Sequence, residues 1–401
     1  MTNAVDEFPS SAAHAGDPPP LLAELRKRDP VSRVRLPGGE IAWLITRHED
    51  VRQVLADPTF TRNLEGGGAV RPNTHDPRGE VFGTAIRTLS MDGQPHAELR
   101  RLVSKALTAR RVQAMRPRIQ DLTDGLLDSM EARGAPADLV VCLAQPLPAI
   151  VICELVGVPA GEREQFRVWS DHITSVGRYE PDMVASAWRR FSEYIGDLIA
   201  VKRRDPADDL LTALIEARDN QHKLSDEELR SLTIVILAGG LETTAVAISA
   251  GLVRLFRHAD QLARLRAEPD LMGSAVEELL RFQPIIDLNR LRIATRDARV
   301  GGVLIRAGEP VQISITSANR DEDAFARGAE FDVSRSPNAH LAFGHGAHFC
   351  LGSALAMVEL TTVFTTLLRR YPGLRIAVPL AELTWRAGQM TVGPERLPVA
   401  W

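Results

Sequence analysis

Helical periodicity fills the middle of the chain and limits the fold more than any other feature. Apolar side chains recur every three to four positions through a series of segments that follow one another almost without interruption. The predicted helices cover residues 95–109, 112–133, 145–157, 161–176, 183–204, 207–219, 225–257 and 259–283. We therefore expect a mainly α protein in which the strands are a minor component.

Short β-type segments flank this helical region. A hairpin is predicted over 31–36 and 41–46, because Pro37-Gly38-Gly39 joins two extended runs, and a short helix over 49–55 follows it. Beyond Pro284 the extended segments are 291–295, 302–305, 311–315, 375–378 and 382–386. Between them lie an irregular stretch, 319–346, and a helix predicted over 350–370.

The chain shows no internal repeat and no Ser/Gly-rich or Pro-rich linker between two halves. We predict a loose tail over residues 1–20, which contains four prolines, a mobile loop over 65–83 and one domain over 21–401. Irregular segments longer than about 12–15 residues are uncommon in compact domains unless they are functional. The stretch before Cys350 is therefore of particular interest.

The charge balance excludes a global basic surface. There are 48 Lys+Arg against 52 Asp+Glu, a formal net charge of −4, so neither nucleic acid nor an anionic membrane is an expected partner. Three cysteines are too few for a disulfide framework, and no run of 18 apolar residues is apparent. The protein is expected to be cytoplasmic.

A cysteine stands where a Gly-rich loop meets the start of an apolar helix, in Phe343-Gly344-His345-Gly346-Ala347-His348-Phe349-Cys350-Leu351-Gly352. The positive end of a helix macrodipole and its unpaired N–H groups stabilise a thiolate. Glycine allows close approach of the backbone to the sulfur or to a flat group above it. The alternative is a buried structural cysteine, which is the interpretation for Cys142 and Cys153.

The positions Phe343-Gly344-x-Gly346-x-His348-x-Cys350-x-Gly352 resemble the haem-binding loop of the bacterial soluble cytochrome P-450 haem-thiolate monooxygenases. The resemblance implies a single-domain cytochrome P-450 fold with haem b between the long central helix and the Cys-loop helix. It implies that Cys350 is the thiolate ligand of the iron, and that Phe343, Gly344, His348 and Gly352 surround the cofactor. Thiolate ligation favours O–O cleavage.

The predicted helix 225–257 carries two glycines in its middle. Ser225 and Glu228 have the spacing of a capping box, and the helix is expected to be about 50 Å long. Gly239 and Gly240 each cost about 1 kcal/mol relative to alanine inside a helix. They favour either helix packing or close approach of a ligand. Gly239-Gly240-Leu241-Glu242-Thr243 resembles the family's oxygen-activation stretch, which implies that Glu242 and Thr243 are catalytic.

Glu278 and Arg281 are three positions apart and share one helix face. By themselves the two residues are interpreted as an exposed ion pair that stabilises the protein by at most a few tenths of a kcal/mol. By resemblance they match the family's structural Glu/Arg motif, whose third member is an arginine before the cysteine. Arg320 and Arg335 are both candidates.

Asp92-Gly93-Gln94-Pro95-His96 opens a helix on which His96 and Arg100 share one face. The pair is either a solvated basic face or a donor set for carboxylates. The segment resembles the family's His-x-x-x-Arg clamp on the haem propionates. By the same comparison Arg292 and His348 complete the clamp, and Arg290 is the alternative to Arg292.

The resemblance implies an enzyme that uses O2 and two electrons to hydroxylate, or oxidatively couple, a small-molecule substrate of secondary metabolism. Electrons are expected from a separate ferredoxin and ferredoxin reductase, docking on Arg100, Arg101, Lys105, Arg110 and Arg111. Two alternatives are a non-catalytic haem-binding sensor or recruitment protein, and a zinc site at His340, His345, His348 and Cys350. The spacing suits no common structural zinc pattern.

The substrate pocket is expected by analogy to have mostly apolar walls, which suit a mid-sized, largely apolar molecule. Its predicted residues are Ile86, Leu89, Val235, Leu237, Gly239, Ile286, Asp287, Leu288, Asn289, Met390 and Thr391. Asp287 and Asn289 are the candidate polar contacts.

Overall fold

The computed structural model describes residues 6–9, 16–36, 39–63, 90–175, 177–221, 225–283, 285–286 and 291–401. Its helices are α1 (Pro20–Arg28), α2 (His48–Ala56), α3 (Gly93–Ala106), α4 (Ala109–Ala114), α5 (Arg116–Arg133), α6 (Pro146–Val156), α7 (Arg163–Ile173), α8 (Pro181–Arg204), α9 (Leu210–Gln221), α10 (Asp226–Arg257), α11 (Ala259–Ala267), α12 (Met272–Phe282), α13 (Ile315–Ala318) and α14 (Ser353–Arg370). The expectation of a mainly α fold with a small β part is confirmed.

The strands are β1 (Asp6–Glu7), β2 (Val31–Arg35), β3 (Ile41–Ile45), β4 (Phe60–Thr61), β5 (Ala137–Asp138), β6 (Leu291–Ala294), β7 (Ala298–Val300), β8 (Val303–Ile305), β9 (Pro310–Ile313), β10 (Arg375–Ile376) and β11 (Pro398–Ala400). The predicted hairpin is present, with Val31 opposite Ile45. The predicted extended segment at 382–386 forms no named strand; the 3₁₀ turn Leu380–Glu382 overlaps its start.

Two predicted helices are each divided in the structure. The segment 112–133 is split near Met115 into α4 and α5, and Pro117 lies in the first turn of α5. The segment 259–283 is interrupted by a 3₁₀ turn at Pro269–Leu271 between α11 and α12. In both cases a proline, which lacks an N–H donor, starts a new helical turn.

The largest sheet has the strand order β1-β2-β3-β9-β6-β4. Its central strands β3 and β9 are parallel, with Trp43 opposite Val311, and β6 is antiparallel to β9, with Arg292 opposite Val311. A smaller sheet joins β10, β11 and β5, and pairs Val399 with Ala137. Late residues of the chain are thus joined to its middle.

The core helix is α10, which begins at a complete capping box: Glu228 N–H donates to Ser225 Oγ, and Ser225 N–H donates to Glu228 Oε2. The prediction that no stretch is apolar enough to cross a membrane is wrong for α10, since its most apolar 18-residue window has a mean hydropathy of 1.8. Because 67% of that window is buried inside the protein, α10 has the environment of a core helix.

Parts of the predicted tail 1–20 are in contact with the rest of the chain. β1 pairs in parallel with β2, and Gly16 lies so close to Trp385 that a Cβ there would be 2.6 Å from the indole. Asp17 forms ion pairs of 2.7 and 3.0 Å with Arg254 and Arg257 near the end of α10. The irregular stretch before Cys350 is as predicted, with no helix or strand between residues 319 and 345.

Candidate active site

A cavity of about 380 Å³ lies between α3, α10 and the loop that carries Cys350. The predicted site residues on its wall are His96, Arg100, Val235, Gly239, Thr243, Arg281, Ile286, Phe343, His348, Cys350 and Gly352. The structure thus brings together residues from four separate parts of the sequence.

The cysteine loop is shaped by glycines in the left-handed region. Gly344 and Gly346 have φ values of 77° and 70°, which L-residues with a side chain rarely adopt. A Cβ on Gly346 would be 2.8 Å from the carbonyl oxygen of Leu55, so this glycine allows the loop to pack against α2. Gly344 does not line the cavity; a Cβ there would be 3.7 Å from His348 O.

Cys350 lies three residues before the start of α14 at Ser353, whereas the sequence predicts that the helix begins at the cysteine. Its N–H donates to the carbonyl of Phe343 at 2.9 Å, which closes the loop. A Cβ on Gly352 would be 4.0 Å from Cys350 Sγ. The thiol therefore faces the cavity from the turn that precedes the helix. None of the three cysteines forms a disulfide.

The two adjacent glycines in the middle of α10 have different environments. Gly240 packs under Ile152 of α6, where a Cβ would be 2.8 Å from Ile152 Cγ1. Gly239 has nothing within 4 Å of a Cβ position. Gly240 therefore serves helix packing, whereas Gly239 leaves space in the cavity.

Thr243 lies on the cavity wall, and its hydroxyl donates to the carbonyl of Gly239, four residues earlier, at 2.7 Å. Glu242 does not line the cavity. It is 8% exposed, and its Oε1 accepts a hydrogen bond from Thr391 Oγ1 at 2.8 Å and forms an ion pair with Arg386 Nη1 at 2.9 Å. The two residues predicted to be catalytic thus have different surroundings.

One end of the cavity is cationic. His96 and His348 have ring centroids 4.1 Å apart, and Arg100 lies on the same wall. Burial, with His348 and Arg100, lowers the pKa of His96 to about 4. Arg62, which the sequence analysis did not identify, also lines this end, and burial lowers its pKa.

Asp92 orients His348, whose Nε2 is 2.8 Å from Asp92 Oδ1. Burial alone would raise the pKa of Asp92, but hydrogen bonds from His348, Thr61 and the Arg62 N–H bring it well below its usual range. Arg292, the predicted fourth member of this set, is 5% exposed on β6, is not on the cavity wall and donates to Leu291 O at 3.0 Å. Its alternative, Arg290, lies outside the described residues.

Glu278 and Arg281 form a buried bidentate ion pair, with both side chains 0% exposed. The interpretation as an exposed pair is therefore wrong. Arg335 Nε is 3.2 and 3.1 Å from the two Glu278 oxygens, whereas Arg320 donates to Phe282 O. Arg281 also donates to the carbonyls of Asn319, Gly328 and Glu330, and these bonds fix the irregular stretch before the cysteine.

Three predicted pocket residues do not line the cavity. Leu237 is fully buried, because a position two residues from Val235 and Gly239 is rotated by about 200° to the opposite face of the helix. Thr391 is hydrogen-bonded to Glu242 behind the cavity wall, and Met390 N–H donates to Thr174 O. Ile86, Leu89, Asp287, Leu288 and Asn289 lie outside the described residues.

Glu359 of α14 lines the cavity and was not identified from the sequence. It is 3% exposed, and its Oε2 has no hydrogen-bond partner among the described residues. Burial raises the pKa of this carboxyl to about 8.

The donor set fits the cofactor implied by the resemblance. A thiol lies on one wall, an open glycine position and a threonine on α10 also face the cavity, and His96, Arg100 and Arg62 can bind carboxylates. Within the described part of the chain, no group of three His, Cys, Asp or Glu side chains could hold a metal ion. His340 is instead bonded to Glu277, and the zinc interpretation has no support.

A family model for cytochrome P450 matches residues 17–373. Nocardicin C N-oxygenase of Nocardia uniformis subsp. tsuyamanensis is 44% identical, with 98% of each chain covered. Mycinamicin IV hydroxylase/epoxidase of Micromonospora griseorubida is 42% identical, with 100% of each covered. Among solved structures, the LnmA cytochrome P450 hydroxylase from the leinamycin pathway of Streptomyces atroolivaceus has a TM-score of 0.89 at 42% identity, covering 100% of this chain and 99% of that one.

Proposed function

The chain belongs to the cytochrome P450 family, and we propose that it oxidises a mid-sized, largely apolar secondary metabolite with electrons from a ferredoxin. It is a cytochrome P450 monooxygenase, and enzymes of this kind use O2, an organic substrate and a redox partner. The observation that carries the proposal is the position of Cys350, whose thiol lies on the wall of the cavity that Thr243 and Gly239 also line.

Haem b, bound through the Cys350 thiolate, would supply the oxygen activation that no side chain can perform. His96, Arg100, Arg62 and His348 would hold its carboxylates, since all four lie at the cationic end of the cavity. Asp92 would fix the orientation of His348. Arg292, which does not line the cavity, is assigned to the propionates by resemblance to the family.

Thr243 holds a hydroxyl proton on the cavity wall, directed at Gly239 O. Glu242 is the adjacent acid, but Arg386 and Thr391 hold its carboxylate behind that wall. In this proposal Glu242 passes protons toward Thr243 after its side chain leaves Arg386. General acid–base groups act only within hydrogen-bond reach or through one water, so this movement is required.

The cavity wall supports an apolar substrate. Leu99, Val103, Ile152, Val235 and Ile236 contribute to it, with Gln283 as a polar contact. The relatives are named for oxidations of nocardicin C and mycinamicin IV, which supports hydroxylation or a related oxidation in bacterial secondary metabolism. We place the enzyme in the cytoplasm, where a ferredoxin and its reductase would reach it.

The deciding experiment is the absorption spectrum of the reduced protein under carbon monoxide. We expect a red-shifted Soret band typical of thiolate ligation, and its loss in Cys350→Ser. Cys142→Ser and Cys153→Ser are matched controls that should keep the band. A parent protein without this band would contradict the proposal.

A second measurement separates a monooxygenase from a non-catalytic haem-binding sensor or recruitment protein. Once a substrate is found by binding-induced spectral shifts, Thr243→Ala should yield less product per electron consumed than the parent. Product analysis then distinguishes hydroxylation from oxidative coupling. A parent protein that binds the compound but forms no oxidised product would favour the sensor.

A further inference from the structure

Arg386 is the side chain that joins Glu242 to the helix α7. Its Nη1 is 2.9 Å from Glu242 Oε1, and its Nη2 contacts Asp171 Oδ1. The side chains of Arg386 and Glu242 are 10% and 8% exposed, and that of Asp171 is 25% exposed. A single buried cation therefore serves two carboxylates.

The two acids belong to different parts of the molecule. Glu242 lies in the middle of α10, next to Thr243, whereas Asp171 lies in the last turn of α7. Within the described residues no hydrogen bond or ion pair joins the two acids directly. Within the described residues, Arg386 is the side chain that contacts both carboxylates.

The segment 385–395, which carries Arg386, is bonded to the end of α7 at several further points. The side-chain amide of Gln389 donates to Asp171 O at 3.2 Å, and Met390 N–H donates to Thr174 O at 3.2 Å. An isolated bridge pairs Ser175 with Gln389. The hydroxyl of Tyr179 donates to Asp171. The end of α7 is thus docked on this segment through Asp171 and its neighbours.

We propose that Arg386 is a positioning residue that couples the docking of α7 to the retention of Glu242 behind the cavity wall. Two carboxylates compete for one guanidinium, and burial strengthens each attraction. When Asp171 leaves Arg386, the guanidinium binds Glu242 alone and holds it more firmly. When Asp171 is engaged, Glu242 is released more readily. The buried Oε2 of Glu242 has no partner among the described residues, so one oxygen is already unrestrained.

Only the role of the released Glu242 in proton transfer rests on the proposed function. The coupling itself is tested by hydrogen–deuterium exchange of the full-length, cofactor-loaded protein, followed in peptides that cover residues 163–180. Glu242→Gln removes one competitor for Arg386, so Asp171 should be held more tightly. We expect exchange at the end of α7 to slow by about fivefold, equivalent to about 1 kcal/mol.

Arg386→Gln should speed exchange at the same amides and abolish the response to Glu242→Gln. If Arg386→Gln folds poorly, Arg386→Lys replaces it in the test. Lysine keeps the positive charge but lacks the planar guanidinium that can bind two carboxylates at once, so it should also abolish the response to Glu242→Gln. Arg178→Gln is the matched control. It removes the 3.2 Å ion pair with Glu395, another link between the end of α7 and the same segment, and should leave the response to Glu242→Gln intact.

The coupling would be overturned if Glu242→Gln left exchange at the end of α7 unchanged. It would also be overturned if Glu242→Gln slowed this exchange equally in the parent and in the Arg386 variants. Neither outcome depends on the carbon monoxide spectrum, so failure of the coupling and failure of the proposed function are distinguishable.

Discussion

The carboxylate of Glu278 forms two 2.7 Å hydrogen bonds with the guanidinium of Arg281, and neither side chain is exposed to solvent. Arg335, Asn338 and the N–H of Asp332 also donate to this carboxylate. Arg281 lies on α12 itself, and the other three partners lie fewer than twenty residues before Cys350. The pair therefore anchors the loop that carries the cysteine.

Glu278→Gln should destabilise the protein by about 3–5 kcal/mol, because it leaves Arg281 as a buried cation without its counter-ion. The free energy of unfolding, measured by urea titration, checks this. Glu164→Gln is a matched control: Glu164 and Arg167 have the same spacing and a bidentate contact, but are exposed. Its expected cost is about 0–1 kcal/mol. Equal costs at the two sites would contradict the anchoring role.

Gly240→Ala and Gly239→Ala should have opposite effects on stability. A methyl group on Gly240 meets Ile152 at 2.8 Å and should cost about 1–3 kcal/mol through overpacking. On Gly239 it meets nothing within 4 Å, and the gain in helix propensity is up to about 1 kcal/mol. Thermal unfolding of both variants measures the contrast. A Gly239→Ala variant less stable than Gly240→Ala would show that the two environments are wrongly assigned.

The buried Glu359 predicts a specific pH dependence. Its pKa is raised by burial from 4.5 to about 8 in the folded protein. Below pH 4.5 the Glu359 carboxyl is protonated in both the folded and the unfolded protein. As the pH rises from 4.5 to about 8, only the unfolded chain loses this proton, so the contribution to stability is lost. The difference in unfolding free energy between Glu359→Gln and the parent should therefore shift in favour of the variant by roughly 2–4 kcal/mol between pH 4.5 and pH 8.

Denaturant titrations at the two pH values test this expectation. Glu382→Gln, at an exposed glutamate, is the control and should differ from the parent equally at both pH values. If the stability advantage of Glu359→Gln did not grow with pH, Glu359 would be ionised in the folded state.

Arg110 should matter for electron delivery. Arg101, Lys105 and Arg110 are exposed on and beside α3, whereas Arg111 is already paired with Asp208 at 3.1 Å. Arg110→Glu should raise the KM for an acidic ferredoxin by roughly three- to tenfold at low salt, with the difference shrinking as salt is added. Arg396→Glu, outside this run, is the control. A defect independent of ionic strength would exclude a docking role.

Periodicity was sufficient to predict most helices because their apolar faces are continuous, as in α8 and α10. It did not reveal the division near Met115, where the backbone is still in the helical region and only the hydrogen-bond pattern changes. It also missed β1, β4, β5, β7 and β11, whose two or three residues each are too few for an alternating pattern.

The local motifs at Cys350, Thr243 and His96 were recognisable because each lies within a few residues of sequence. The contacts that complete these motifs were not recognisable from the sequence. Asp92 and His348 are 256 positions apart, and no pattern in either segment indicates the other. For the same reason, sequence alone could not choose between Arg320 and Arg335, or show that Gly239 and Gly240 have different neighbours.

The attachment of residues 386–400 to the middle of the chain has a consequence for biogenesis. Arg386 contacts Glu242, Thr391 bridges to Ile286, and Val399 pairs with Ala137. A ribosome synthesises all the helices around the cavity before it reaches any of these late residues. A nascent chain whose residues 386–400 are still in the exit tunnel therefore lacks the contacts that hold Glu242 behind the cavity wall.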